Sequence, residues 1–572
     1  MKDNLMTEYS LLFDPKELLT LMSHLLANLP DPLRGHIIVQ PDCPPEVKKS
    51  AISQLPSRVL DIEPQDDKSI VLVDTRTSVC ETNQFMTLSH CWGKLQFIQT
   101  RKDSLDARMK HITWESLLRT FQDALGIAQA LGVRYLWIDA LCIIQDDSVD
   151  WKQESARMAS IYSNSYLNIA ATGSADGRGG CLSPRTIVCG SQKSSVKPIL
   201  IKPTCKSRPD IYVRPSFEHI HHRYSTHIKH YSSFPKGDLV PLLSRAWVFQ
   251  ERYLAPRTLH FHPSEVILEC KSGLRCECSG LDSVTFHPSQ ESHFSGHAAT
   301  QGPNFKEKFD KWFKVVEEFS RLSLTQQSDR LIALIGVATV FQSELGDDYL
   351  AGLWKGDIAR GLLWHITRPW PTDTLSSILT RRHETAFAPT WPWANLILNT
   401  EEVGIVFPAG HDDFFAGDKR LRILETNLSS DAAMSTDCAN GVLRVKGAVV
   451  SAIMCKRDQG DSQGKDAVLL FDGDVDNDFV LISTSDFNLD VLHTENNELI
   501  TYDGYFIHCL TIGKTIEASD AEDQSPGDNS EYICALILRS NISGAYERIG
   551  VLDVPKETMD HQSSTIMELD LI

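Results

Sequence analysis

The sequence predicts an α/β core built on a doubly wound parallel sheet, followed by a helical segment and a β-rich C-terminal domain. Three observations predict it. Between 86 and 171, short apolar runs alternate with amphipathic stripes of helical period. From 305 to 366 the pattern is helical, with Phe305, Phe309, Trp312, Val316 and Phe319 on one face and Asp329 expected to cap the next helix. From about 436 onwards it changes to short runs separated by turn-rich segments: Val442 to Val450, Ala467 to Phe471, Phe479 to Ile482, Tyr505 to Ile512 and Ile533 to Leu538.

Within the core, Met86 to His90, Tyr135 to Ile138 and Tyr166 to Ala171 read as strands, apolar enough to be covered on both faces. Leu117, Phe121, Leu125 and Ala128 form a helical stripe that Gly132 ends. Asp150 is the expected N-cap of a second helix, with Gln153 three residues on and Trp151, Ser155, Met158 and Tyr162 on one face. In such a sheet ligands sit beyond the C-terminal strand ends. Ser89, Cys91 and Trp92 follow the first strand, Asp139 and Cys142 the second, and Trp151-x-x-Glu154 opens the helix whose positive end suits an anion. The loop Gly173 to Gly180, with four glycines, follows the third strand.

A chain of 572 residues exceeds one hydrophobic core. The expected divisions are a leader and connector (1–84), the α/β domain (85–255), a helical segment (256–435) with a mobile insertion near 282–303, and the β-rich domain (436–572). The leader carries a helix at Pro15 to Leu29, a connector with Pro41, Pro44 and Pro45, and a strand at Ile70 to Val73. A net charge of −19 argues against nucleic-acid or anionic-membrane surfaces. No run suits a secretory signal or a membrane span, so a cytoplasmic protein is expected. The 14 cysteines suit buried thiols better than a disulfide framework. No metal site is expected: the histidines at 219, 221, 222, 227 and 230, and Cys270, Cys276 and Cys278 near His260 and His262, lack paired ligand spacing. Ala518 to Glu531 reads as an acidic disordered loop. Phosphate-loop, HExxH and GxSxG signatures are missing.

Four blocks in order carry a family resemblance: Leu88-Ser89-His90-Cys91-Trp92-Gly93, the segment Tyr135 to Ala171, the turn Gly180-Cys181-Leu182-Ser183-Pro184-Arg185, and Arg245-Ala246-Trp247-Val248-Phe249-Gln250-Glu251-Arg252. Together they resemble the fungal heterokaryon incompatibility (HET) domain. Tyr349 to Trp364 and Trp391-Pro392-Trp393 look like the downstream part of long members. His90 stands where a Tyr is commoner and Pro392 where a Ser is commoner.

The resemblance implies a TIR-like core and a role in nonself recognition and programmed cell death. Enzymatic TIR domains cleave NAD with a Glu in a short Trp-containing helical motif, which Trp151-Lys152-Gln153-Glu154 resembles. On that reading Glu154 is the catalytic carboxylate, Glu251 is the alternative, and Ser89, Trp92, Asp139 and Trp151 contact NAD as substrate. A carboxylate in a dry pocket suits the cation left when nicotinamide departs, and an indole suits stacking on a flat ring. Two bland readings stand beside it. Glu154 in a first helical turn is favoured by the macrodipole alone, and Glu251 could simply pair with Arg245 or Arg252. Apart from the NAD glycohydrolase, the family implies a non-enzymatic adaptor that self-associates or binds a protein partner, or a HET protein in a metabolic or regulatory setting such as a secondary-metabolite pathway.

Overall fold

The structure is a computed structural model. It describes residues 55–62, 70–94, 96–182, 240–263, 265–270, 273–276, 305–366, 388–398, 404–407, 421–428, 438, 440–457, 505–517, 530–560 and 562–572. It also describes short strands at 186–189, 192–195, 199–201, 211–213, 381–382, 466–471, 480–482, 487–489, 494–495 and 498–499. The leader helix, the proline connector, the histidine tract, Cys278, the 282–303 insertion and nearly all of the acidic loop lie outside the described residues. The chain divides into two compact units, one ending at Thr300 and the other starting at Gln301.

The first unit holds an eight-stranded sheet. Its strands are β1 (Arg58–Ile62), β2 (Ile70–Asp74), β3 (Phe85–Ser89), β4 (Tyr135–Trp137) and β5 (Leu167–Ala170), then β10 (Arg257–Phe261), β11 (Val266–Cys270) and β12 (Gly273–Cys276). Two separate hairpins intervene, β6 (Thr186–Cys189) with β7 (Gln192–Ser195) and β8 (Ile199–Ile201) with β9 (Ile211–Val213). The helices are α1 (Leu105–Lys110), α2 (Arg119–Ala130), α3 (Asp139–Cys142), α4 (Ser148–Asn164) and α5 (Ala246–Leu254).

The sheet order is β12-β11-β10-β5-β3-β4-β1-β2. Its centre, β4-β3-β5-β10, is parallel, as the apolar runs predict. Its edges are antiparallel, and this corrects the all-parallel expectation. β1 and β2 come from the stretch assigned to the leader, and β10 to β12 from the stretch assigned to the helical segment. β1 and β2, β10 and β11, and β11 and β12 are each joined by a short connection, which suits a hairpin and leaves no room for a crossover helix.

Side-chain contacts place the helices on both faces. Strand residues alternate, so Thr87 and Ser89 point one way and Met86 and Leu88 the other. On the first face Trp137 meets Tyr162 of α4 edge-on at 5.7 Å, and Tyr162 bonds Glu251 of α5. On the second, His90, next after β3, meets Phe121 of α2 at 5.0 Å. β3 leads through α2 to β4, whereas β5 leads to β10 on its other side. The connections therefore part between the C-terminal ends of β3 and β5, where an open α/β sheet forms its ligand crevice.

The N-cap of α4 is Asp147, whose carboxylate accepts from the amides of Val149 and Asp150. Asp150, expected there, is engaged differently, since its Oδ2 accepts from Arg58 at 2.5 Å and from the Ile144 amide at 2.8 Å. Two acids three apart offer two cap positions, and the arginine of β1 decides between them. A buried network fixes α5. Arg252 donates to both oxygens of Glu269 at 2.6 and 3.0 Å, His260 Nε2 meets the same carboxylate at 2.9 Å, and His260 Nδ1 faces the Thr172 hydroxyl at 3.1 Å. Although burial opposes it, the Arg252 charge and the hydrogen bond with His260 hold the Glu269 carboxyl down at about 2.

In the second unit, α6 (Phe305–Ser320) buries Phe309, Trp312, Val316 and Phe319. Trp312 packs edge-on against Phe341, Tyr349 and Trp354. Its indole and that of Trp393 both donate to the Gly352 carbonyl, at 2.9 and 3.3 Å. The next helix, α7 (Ile332–Leu345), starts after Leu331. Asp329, expected as its cap, lies instead in a 3-10 turn, and Leu331 occupies the N-cap position. Further on, the long strand Leu443–Arg457 pairs with Tyr505–Glu517 and Thr565–Leu571. Tyr505–Glu517 pairs with Ser530–Ser540, that strand with Tyr546–Pro555, and a parallel contact of Tyr546 with Leu571 closes the ring. A closed ring removes exposed edges, and its core gathers Ile507, Cys509, Ile533, Ala535, Ile537 and Leu552.

Removing one partner of a buried ion pair strands the other charge. Arg252→Ala is expected to lower the unfolding free energy of the first unit by about 3–5 kcal/mol, read from denaturant unfolding with a probe in that unit.

Candidate active site

The crevice between β3 and β5 is set by one serine. Ser89 ends β3 facing α4 and α5, fully buried. Beside it Asn168 of β5 accepts from Thr87 at 3.1 Å and donates to the Ser89 oxygen at 3.0 Å. The Ser89 hydroxyl proton has two acceptors within reach, Asn168 Oδ1 at 3.1 Å and the Glu251 carboxyl, and the Tyr162 hydroxyl bonds the same carboxyl. Glu251 is 6 % exposed, and its Oε2 has no hydrogen-bond partner. Burial pushes its carboxyl up to about 7; the Ser89 bond opposes this, the Asp139 charge adds to it, and the Tyr162 bond and Arg245 oppose it again. Burial also raises the Tyr162 phenol well above its ordinary range. The site thus holds a carboxyl that changes charge near neutrality, with two hydroxyls as donors to its ionised form.

On the other side of β3 lies an aromatic group. His90 is buried and stacks with Trp92 at 6.4 Å, with Phe97 at 6.4 Å and Phe121 at 5.0 Å edge-on. Trp92 and Phe97 are half-buried. Asp139 begins α3 at the end of β4, accepting from the Trp92 indole at 2.9 Å and the Ala140 amide at 2.7 Å. Gly93 has φ +69°, and a Cβ there would stand 2.5 Å from Asp176 Cβ, so the loop after β5 closes against the turn after β3. Asp123 of α2 holds the far end of that loop by accepting from the amides of Cys181 and Leu182 at 2.8 and 2.9 Å. Gly180 turns there at φ +75°.

The residues singled out from sequence fall into two groups. Ser89, Trp92, Asp139 and Glu251 come together around the ends of β3, β4 and β5. Glu154 lies elsewhere: it is 2 % exposed, 3.7 Å from Arg157, with Oε2 lacking a hydrogen-bond partner. Its negative charge is felt at Arg76 and Cys142, on the β1 side of the sheet. Trp151 is half-buried and meets Trp247 of α5 edge-on at 6.4 Å. Cys91 and Cys142 are buried thiols, raised by burial to about 11 and about 12. Arg252 is engaged with Glu269, so the pairing of Glu251 with Arg252 is not what forms.

Sequence reasoning placed Tyr162 in a core stripe and passed over Asn168 and Arg245 as site groups. One signal was present: Trp247 and Glu251 stand four apart on α5, hence on one helical face. Among the described residues no group of three or more His, Cys, Asp or Glu could hold a metal. No described helix is long and apolar enough to cross a membrane.

Residues 85–251 match the family model described as Heterokaryon incompatibility protein (HET), and this segment is a HET domain. The match runs from the first residue of β3 to Glu251 itself. No curated protein and no solved structure gives a significant match.

A carboxyl that stays protonated in the folded state up to about 7, against an ordinary 4.5, makes stability fall as pH rises through that window. Glu251→Gln removes the effect. Relative to wild type, the variant is expected to gain on the order of 3 kcal/mol between pH 4 and pH 8, read from paired unfolding curves at the two pH values.

Proposed function

We propose that this HET domain acts in nonself recognition leading to cell death, and that it does so by TIR-like cleavage of NAD, with Glu251 as the catalytic carboxylate. The observation that carries this is a buried, hydroxyl-bonded carboxyl with one oxygen unpartnered at the crevice where the sheet's connections part. Loss of nicotinamide leaves positive charge on the ribose, and a carboxylate fixed in a low-dielectric site stabilises that charge without reorganising. Ser89 and Tyr162 hold the carboxylate in place. Trp92, with Asp139 bonded to its indole, offers a flat wall for a ring. Glu154 is the competing carboxylate, and its arginine-rich surroundings suit a structural anion better.

The adaptor reading keeps one observation in its favour: Ser89, His90 and Glu251 are all buried, as in a packed signalling domain that works by self-association. The setting proposed for either reading is the cytoplasm.

Purified protein at a concentration that permits self-association is expected to consume NAD, with a rate that rises through pH 7 as Glu251 ionises. Glu251→Gln should lose at least about 100-fold, while Glu154→Gln stays within a few-fold of wild type. Loss confined to Glu154→Gln would move the carboxylate to α4, and a wild type that leaves NAD untouched favours the adaptor.

A further inference from the structure

The two helices on the first face of the sheet begin differently. α4 starts from Asp147, whose carboxylate accepts from two amides of its first turn. α5 starts from Arg245, and no side chain caps it. A guanidinium has no acceptor to offer first-turn amides, and its positive charge stands at the helix end that disfavours cations. Among the described residues no acceptor meets the amides of Trp247 and Val248, although Val248 is only 4 % exposed. Arginine is therefore a costly choice at this position unless an anion shares it.

The protein supplies no such anion. Arg245 is half-buried, and its Nε is fully buried without a hydrogen-bond partner. Glu251 feels the Arg245 charge, but its carboxyl is bonded to Ser89 and Tyr162, and burial keeps it protonated up to about 7. The same charge reaches His90, which is 5 % exposed with neither ring nitrogen hydrogen-bonded, and the buried Cys91 thiol. Below pH 7 these three neighbours bring no negative charge to the guanidinium. Packing sets the place: Cys91, just past β3, meets Ala170 at the end of β5 and Leu242 and Val248 on either side of Arg245 in the chain. The first turn of α5 therefore stands at the C-terminal ends of β3 and β5, beside the crevice.

We infer that Arg245 and the uncapped first turn of α5 form a phosphate subsite that takes the pyrophosphate of a dinucleotide. For the identity of that dinucleotide this rests on the NAD-cleaving reading. A guanidinium fork matches two phosphate oxygens, and helix amides facing the same anion add donors without adding a full charge. Arg245 is thus a binding group, holding the substrate by a part that does not react.

Calorimetric titration of the full chain with inorganic pyrophosphate and with ADP-ribose tests this, beside the KM for NAD. Wild type should bind both. Arg245→Gln should weaken both at least about 10-fold and raise the KM for NAD by a similar factor. Arg245→Asn separates binding from packing, because asparagine caps a helix. Without ligand that variant should unfold at a higher temperature than wild type, yet pyrophosphate should raise only the wild-type midpoint. A variant that unfolds earlier and still binds pyrophosphate like wild type makes Arg245 a packing residue and overturns the inference. So does a wild type that binds neither ligand. An active wild type whose KM survives Arg245→Gln overturns it as well and leaves the NAD-cleaving reading standing. A wild type that binds pyrophosphate through Arg245 but leaves NAD intact removes that reading and keeps the subsite.

Discussion

Holding a carboxyl group out of water demands donors already in place, and the first unit supplies them to Glu251 from two elements. Ser89 comes from the end of β3 and Tyr162 from α4, while Glu251 itself rides on α5. Each must be set to within a few tenths of an ångström for the bonds to form, so strand order, helix placement and register are tied to one group. Asn168 holds Ser89 from the neighbouring strand, its Nδ2 donating to the hydroxyl at 3.0 Å and its Oδ1 standing as an acceptor at 3.1 Å. The ion pair of Arg252, the residue after Glu251, with Glu269, whose carboxylate also meets His260, keeps that helix from turning. With those donors moved away, the same burial would leave only a desolvation cost.

The second unit follows a different logic. Its helical part is an aromatic core in which the Gly352 carbonyl accepts from two indoles and the Trp391 carbonyl accepts from Trp364. Buried indole N–H groups need acceptors, and backbone carbonyls near a turn supply them without charge. The segments 349–364 and 391–393, picked out as motifs, are thus packing partners. In the β-rich part the Asn541-Ile542-Ser543 triplet forms a turn, with the Asn541 side chain accepting from the amides of Ser543 and Ala545.

Legibility in the sequence follows the strength of the local signal. The centre of the sheet was readable because β3, β4 and β5 are short runs buried on both faces, and α2 and α4 carry full stripes. Of the edge strands, β2 was readable as the apolar run Ile70 to Val73, whereas Arg58–Ile62 was not, because it is fixed in the sheet by β4, a partner far along the chain. The competition between Asp147 and Asp150 for the cap was decided by Arg58, again a distant residue. For the site, the sequence put Glu154 first, on its Trp-containing motif, and Glu251 second as the alternative. What separates them is tertiary: Glu251 reaches Ser89 and Tyr162, and Glu154 reaches Arg157. His90 stood out as a departure from the family pattern, but its unmet nitrogens exist only once Phe97, Phe121 and Trp92 surround it.

Infrared titration of the carboxyl groups, taken as the difference between wild type and Glu251→Gln in the folded protein, tests the central claim most directly. The account predicts one carboxyl that loses its proton near pH 7, absent from the variant spectrum. A Glu251 that titrates in the ordinary carboxylate range near 4.5 would contradict it, because the group would then be ionised and solvated at every pH at which the proposed chemistry is read.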